Sequence, residues 1–257
     1  MSDQPAGSSA PSVLWKAFDV LGAFSHRRRV LTLGEIARYS GLPKSTAHRV
    51  LAMLVEVGAV EQVPSGYQVG LRMFSLGVLP PEAALREAAM PHLEELHQVT
   101  GQTVHLAILR GSDVVYLEKL LPRGSRLVSP SAIGDRMPAT CTGVGKALLA
   151  FASADVTERV LGGALERRTG RSLDSPDEIR RELDITRERG HAFDRGEAAD
   201  GLACVAVPVL VPGTGAVAAV SIAFPASAGN GQALVTPLRA AAAAISRSPA
   251  VRFVSTS

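Results

Sequence analysis

Cysteine is scarce in this chain: only Cys141 and Cys204 occur in 257 residues. That excludes a disulfide framework and a cysteine-built zinc site, and it fits a protein of the reducing cytoplasm. Long apolar runs are also missing. The most extended, Leu202–Pro212, has 11 residues, against the ~20 that a helical membrane span requires. The first twelve residues are polar and lack an apolar centre, so no secretory signal is expected. No repeat of ~20–50 residues recurs, which argues against a solenoid.

Apolar residues at 46% and charged residues at 20% describe a folded protein rather than a disordered one. At 26.9 kDa the chain exceeds what one core usually organises, so two domains are expected, 13–75 and 76–257. Charge divides them. Residues 1–80 hold eight Lys/Arg and five Asp/Glu, while the remainder holds nineteen of each, so the net +3 sits in the first third. Between His26 and Arg49, six basic residues (Arg27, Arg28, Arg29, Arg38, Lys44, Arg49) face one acid, Glu35. Such a field fits a polyanion partner as well as it fits a solvated face.

Periodicity predicts the elements. The tail through Pro11 is rich in Ser, Ala, Pro and Gly and reads as disordered. Val13–Phe24 carries a helical apolar stripe. Thr32-Leu33-Gly34-Glu35 is a capping box that opens a second helix, which ends at Ser40-Gly41. Pro43 opens a third, which buries Ala47, Val50, Leu51 and Leu54 and stops at Gly58. Val60–Val63 and Tyr67–Val69 read as a hairpin. Pro80-Pro81 marks a hinge before a helix over Glu82–Val99. Beyond it, a hairpin is expected from Thr103–Leu109 and Val114–Leu121, an extended run over Leu127–Ile133 and a helix over Gly143–Ala152. A second capping box, Ser175-Pro176-Asp177-Glu178, opens a helix that ends at Gly190. Strands at Leu202–Val211 and Ala216–Phe224 and a helix over Ala233–Ser246 complete an α+β chain.

Helix, tight turn, helix and hairpin make a winged helix-turn-helix. Ala37 is small where the helices cross, Gly41 suits a positive φ in the turn, and Ile36, Leu42, Ala47 and Val50 close the core. In that motif the third helix enters the major groove, presenting Lys44, Ser45, Thr46, His48 and Arg49. Arg49 can fork onto guanine and His48 can donate to a base or phosphate, while Lys44 and Ser45 suit phosphates at the helix start. The wing around Ser65-Gly66 lies along the backbone or minor groove. Arg27–Arg29, with Arg28 the candidate contact, suit non-specific phosphate attraction or a solvated run rather than base reading. The alternative for all of them is an exposed polar surface.

These blocks resemble the isocitrate-lyase-regulator (IclR) family of bacterial transcription factors. The likeness runs through Thr32–Ala37, Gly41–Leu51 and Tyr67–Gly70, then Gly143–Ala150, Arg189–Asp194 and Gly201–Val209, and covers about Val13 to Ser246. It implies an N-terminal winged helix, a linker helix and a GAF-like effector-binding domain built on a curved antiparallel sheet. It also implies a homodimer or tetramer on a palindromic operator, commonly a repressor with an activator as the alternative, and a carboxylate or aromatic catabolic effector with no cofactor. The resemblance places Asp194, Cys204 and Ser221 in the effector pocket. Gly143 and Gly145 allow close backbone approach at a helix start, where free amides and the dipole attract an anion, and Gly143 and Val144 are the expected effector contacts there. On its strand, Cys204 shares a face with Ala206 and Pro208, opposite Val205 and Val207. Ala223 replaces a second serine, Phe224-Pro225 replaces Gly-Pro, and Asp194-Arg195-Gly196-Glu197 lacks the usual run of acids. These departures favour an effector larger or more apolar than glyoxylate. The expected mechanism is that the effector favours one arrangement of the sheet and the Glu82–Val99 helix passes that preference to the spacing of the reading helices.

An enzyme needs machinery that is not evident. Thr140–Ala147 ends like a P-loop but lacks its first glycine and the hydroxyl after Lys146. His92 and His97 are five residues apart and diverge by ~140° around a helix, so no metal site is expected. A winged helix used only for protein contacts is the third reading.

Overall fold

The structure, a computed structural model, describes residues 12–124, 130–229 and 231–253. The expected disordered tail, and residues 127–129 of the expected extended run, lie outside these. The chain divides into two compact units, Met1–Pro80 and Pro81–Ser257.

In the first unit, helix α1 (Val13–Gly22) is followed by a two-residue strand β1 (Val30–Leu31), then α2 (Leu33–Ser40) and α3 (Lys44–Glu56). Strands β2 (Val60–Val63) and β3 (Gly66–Val69) form the wing, and α4 (Leu71–Gly77) follows. The capping box is formed: the Glu35 amide donates to Thr32 Oγ1 at 3.3 Å and the Thr32 amide donates to Glu35 Oε2 at 2.9 Å. The Thr32 amide, and the Thr32 hydroxyl donating to the same Glu35 Oε2 at 2.8 Å, hold the Glu35 carboxyl below its ordinary range. Gly41 ends α2 at φ +69°, as the turn requires. Pro43 is the cap of α3 rather than its first residue. The core joins Val20, Leu31, Ile36, Val50, Leu51, Leu54 and Val60, each worth about 1.5–3 kcal/mol on full burial.

Strand β1, too short to show in the sequence pattern, adds an outer strand to the wing in the order β1-β3-β2. Gly66 makes room for it: at φ +144°, any Cβ there would overlap the carbonyl of Leu31.

The second unit opens with α5 (Pro81–Thr100), seated on a sheet by Leu85, Ala89, Leu93 and Leu96. Strands β4 (Thr103–Arg110) and β5 (Asp113–Leu120) form the expected hairpin, and β6 (Arg136–Pro138) pairs with β5. Then come α6 (Gly143–Ala150), α7 (Ala154–Leu161), α8 (Pro176–Arg189) and a short β7 (Ala192–Asp194). The long strands β8 (Leu202–Val211) and β9 (Gly215–Pro225) and helix α9 (Val235–Ser246) complete it. The curved antiparallel sheet runs β6-β5-β4-β9-β8-β7.

Both sheet faces are covered. Val205, Val207 and Val209 of β8 pack in one core with α5 and α9, whereas Ala206 packs in the other with α6. Cys204 is thus on the α6 side, as alternation along the strand predicts.

The structure departs from the sequence pattern at two further places. Ser175 stands at the cap of α8 but its hydroxyl makes no capping bond. Pro176 already removes one amide from that turn, and Asp177 turns to Arg180 at 2.8 Å instead. Of the expected extended run, Pro130–Ile133 is not a strand; the Ala132 amide donates to Asp135 Oδ2 at 2.8 Å, and this turn feeds β6.

Candidate functional site

The surface of α3 is split lengthwise. Ala47, Val50, Leu51 and Leu54 are buried, while Lys44, Ser45, His48 and Arg49 are exposed and Thr46 is half-buried. The helix is therefore fixed by its apolar side and presents its first two turns, including both cations, outward. Ser65 is exposed at the turn of the wing.

Arg28 is placed differently. Val30 lies opposite Gln68 and Leu31 opposite Tyr67, so the Arg27–Arg29 loop enters at the end of β1 away from the wing turn. Arg28 is half-buried, with its guanidinium 4.2 Å from the centre of the Tyr39 ring; Arg38 lies 4.7 Å from the same ring. Its amide donates to the Ser25 carbonyl at 2.9 Å. It is a packed residue rather than part of a solvated run.

In the second unit, four of the five expected effector residues meet. Val144 of α6, Asp194 of β7, Cys204 of β8 and Ser221 of β9 line one cavity. Strand pairing assembles it: Asp194 lies opposite Cys204, and Ser221 opposite His105. Gly143 stands behind the wall, because a Cβ there would overlap the Cys204 sulfur. Among the described residues the cavity measures about 20 Å³, room for one water. An organic ligand must spread its walls.

His105, Tyr116 and Ser131, which no local motif marks, line the same cavity. His105 Nε2 is 3.2 Å from Ser131 Oγ and its Nδ1 is 3.5 Å from Ser221 Oγ. Its ring meets Tyr116 edge-on at 5.2 Å. Burial, helped by Lys119, lowers the His105 pKa to about 3, so the imidazole is neutral. Burial raises Tyr116 and Cys204 well above their ordinary values and Cys141 to about 12. Both thiols stay protonated and unreactive.

Asp194 Oδ1 accepts from the amides of Gly196, Glu197 and Ala198 at 3.0, 2.7 and 3.4 Å. Burial and the neighbouring Glu197 nevertheless raise its pKa to about 6. Behind it, the fully buried Lys146 donates to Glu197 Oε1 at 2.6 Å. This lysine made the P-loop likeness, and here it is committed to an ion pair. Thr142 caps α6 by accepting from the Gly145 amide at 3.1 Å.

A larger cavity, about 110 Å³, lies among Leu109, Leu148, Phe151 and Val217 at the other end of α6. Its one cation, Arg110, is tied to Glu82. The convergent polar groups belong to the smaller cavity. Among the described residues no cluster of His, Cys, Asp or Glu is arranged to hold a metal, and no helix is long and apolar enough to cross a membrane.

Residues 13–64 match the family model described as the IclR helix-turn-helix domain, and residues 81–247 match that of the bacterial transcriptional regulator IclR C-terminal domain. The chain is 33% identical over 211 residues to the HTH-type transcriptional regulator XynR of Escherichia coli, covering 80% of this chain and 83% of that protein. It is 31% identical over 236 residues to the E. coli transcriptional repressor IclR, with 87% and 85% covered. An IclR homolog from Microbacterium hydrocarbonoxydans, crystallised with 4-hydroxybenzoate, superposes with a TM-score of 0.84 at 30% identity, covering 94% of this chain and 99% of that one. These families and relatives are regulators rather than enzymes. The chain belongs to the IclR family of DNA-binding bacterial transcriptional regulators.

Proposed function

We propose that the protein is a cytoplasmic repressor: a homodimer, or a tetramer of paired dimers, that holds a palindromic operator and releases it when a small organic effector enters the Asp194–Cys204–Ser221 cavity. The observation that carries the reading is the split surface of α3. Lys44 and Ser45 serve phosphates, Arg49 and His48 the base edges, Thr46 the rim between them, and Ser65 the backbone beside the wing. Arg28 acts through long-range attraction and through its packing on Tyr39.

Self-association is supported by apolar side chains left outside. Leu14 and Phe18 of α1 are 69% and 68% exposed, and Leu71 and Phe74 of α4 are 71% and 69% exposed. Patches of this kind are usually covered by a partner, and a second copy satisfies the symmetry of a palindrome. The domains run as 13–75 for reading DNA and 76–257 for sensing. The effector is a carboxylate or an aromatic catabolic compound, which the 4-hydroxybenzoate in the Microbacterium homolog supports. A coupling of ~1–3 kcal/mol between cavity and operator suffices for release.

Mobility shift with DNA from upstream of its own gene tests the reading, and failure to retard any duplex at low ionic strength overturns it. A reporter under that DNA decides the sign, with lower output in the presence of the protein expected. Thermal-shift screening against aromatic and aliphatic acids tests the effector class.

A further inference from the structure

We propose that an organic carboxylate entering the cavity beside Asp194 binds together with one proton, shared between the ligand carboxylate and the Asp194 carboxylate. This rests on reading that cavity as the effector site.

The charges around Asp194 leave it as the odd member. Lys146 of α6 contacts Glu197 at 2.6 Å and Glu182 of α8 at 3.7 Å, and Arg189 of α8 reaches Glu182 at 3.4 Å. Two cations and two carboxylates cancel, and Asp194 is the carboxylate left over. Glu197 Oε2 is itself buried with no hydrogen-bond partner in the structure, as is Nε of Arg189, so this cluster is not fully satisfied within itself.

Among the described residues, Lys146 is the cation from another element that acts on Asp194, and it is already shared with Glu197 and Glu182, while the exposed Arg171 lies against Gly196 in the loop after Asp194. Tyr116 of β5, Cys204 of β8 and Cys141 before α6 are kept protonated by burial, and His105 of β4 is neutral. Lys119 of β5 keeps its charge; it donates to the Ser131 carbonyl and acts on His105. Arg168 pairs with Glu166 at 3.2 Å, and Arg195 lies 5.1 Å from the centre of the Phe193 ring. Among the described residues, no lysine or arginine lines the cavity.

A carboxylate set against an ionised Asp194 would place two anions side by side in a nearly dry site, an arrangement in which one of them takes up a proton. That proton comes from solvent, rests on one carboxylate and is donated to the other in a charge-assisted O–H···O bond. The burial that already raises Asp194 to about 6 makes this uptake accessible near neutral pH. Glu197 is then a positioning residue: it touches no ligand but sets the pH at which Asp194 accepts its proton.

Calorimetry on the full chain tests this with benzoate, 4-hydroxybenzoate and pyruvate, each beside its neutral amide, in two buffers of different ionisation enthalpy. The acids should bind with uptake of close to one proton above the Asp194 midpoint, their affinity falling about tenfold per pH unit there. The amides should show neither effect. Asp194→Asn, whose oxygen can still accept the three amides, should abolish the uptake, and Glu197→Gln should move its onset to lower pH. Acid binding without proton uptake, or uptake that persists in Asp194→Asn, overturns the shared proton while leaving the cavity an effector site. Should Asp194→Asn fail to fold, an unmoved onset in Glu197→Gln overturns it equally. If neither acids nor amides bind at any pH, the reading of the cavity falls, and this proposal with it.

Discussion

The backbone of Gly143 and the sulfur of Cys204 meet at a separation that leaves no space for a Cβ. The start of α6 is thereby pressed against β8 at the wall of the cavity. This contact is decided by packing alone, since Gly143 lies outside the left-handed region and any residue could adopt its backbone conformation.

Gly143→Ala should therefore destabilise the protein by about 1–3 kcal/mol through overpacking. Cys204→Ala removes the obstructing atom, and the double variant should regain most of the loss. Urea denaturation of the four proteins closes the cycle; an equal cost in both backgrounds would assign the effect elsewhere.

Arg49→Ala should weaken binding to the specific operator by ~1–3 kcal/mol and relax the choice of base at one position. Lys44→Ala should weaken all duplexes alike and lower the salt dependence by about one ion. Titrations at several salt concentrations separate the two.

Asp194 gives stability a pH dependence of known sign. Folding raises its pKa from 3.8 to about 6, so the fold favours the neutral acid. Stability from this group is complete below the unfolded value, falls as pH rises between the two, and is level above the folded value. Asp194→Asn should be more stable than the parent at about pH 7.5, by on the order of 3 kcal/mol. The two should converge near about pH 4. Thermal melts at the two pH values check it, and a constant difference would remove titration as the cause.

Lys146→Met leaves Glu197 buried without its cation, and should cost about 3–5 kcal/mol. Adding Glu197→Gln to Lys146→Met removes the stranded charge and should recover much of that. Denaturant midpoints decide, and no recovery would mean that the methylene packing of Lys146 mattered more than its charge.

The first unit was largely legible because its signals are local. The Thr32–Glu35 box, Gly41 and the stripe Ala47-Val50-Leu51-Leu54 each mark a boundary or a face within a few residues. Very short strands carry no such signal. Val30–Leu31 is extended because β3 offers it hydrogen bonds and Gly66 leaves room, and Ala192–Asp194 because it pairs with β8. The pattern Ser-x-x-Glu at Ser175 has the composition of a capping box without its bonds, since composition does not orient a hydroxyl.

By itself, then, the sequence determined where helices start and stop, which sides of α3 and β8 are apolar, and where the charge lies. Those follow from backbone preferences and solvent exclusion acting over a few residues. Tertiary structure decided which polar groups meet. His105 reaches Ser221 because β4 pairs with β9, and Lys146 finds Glu197 across 51 positions because α6 packs beneath the loop after β7. A side chain's charge and chemistry belong to its residue type, but its partner and its pKa depend on atoms that only the closed chain brings near.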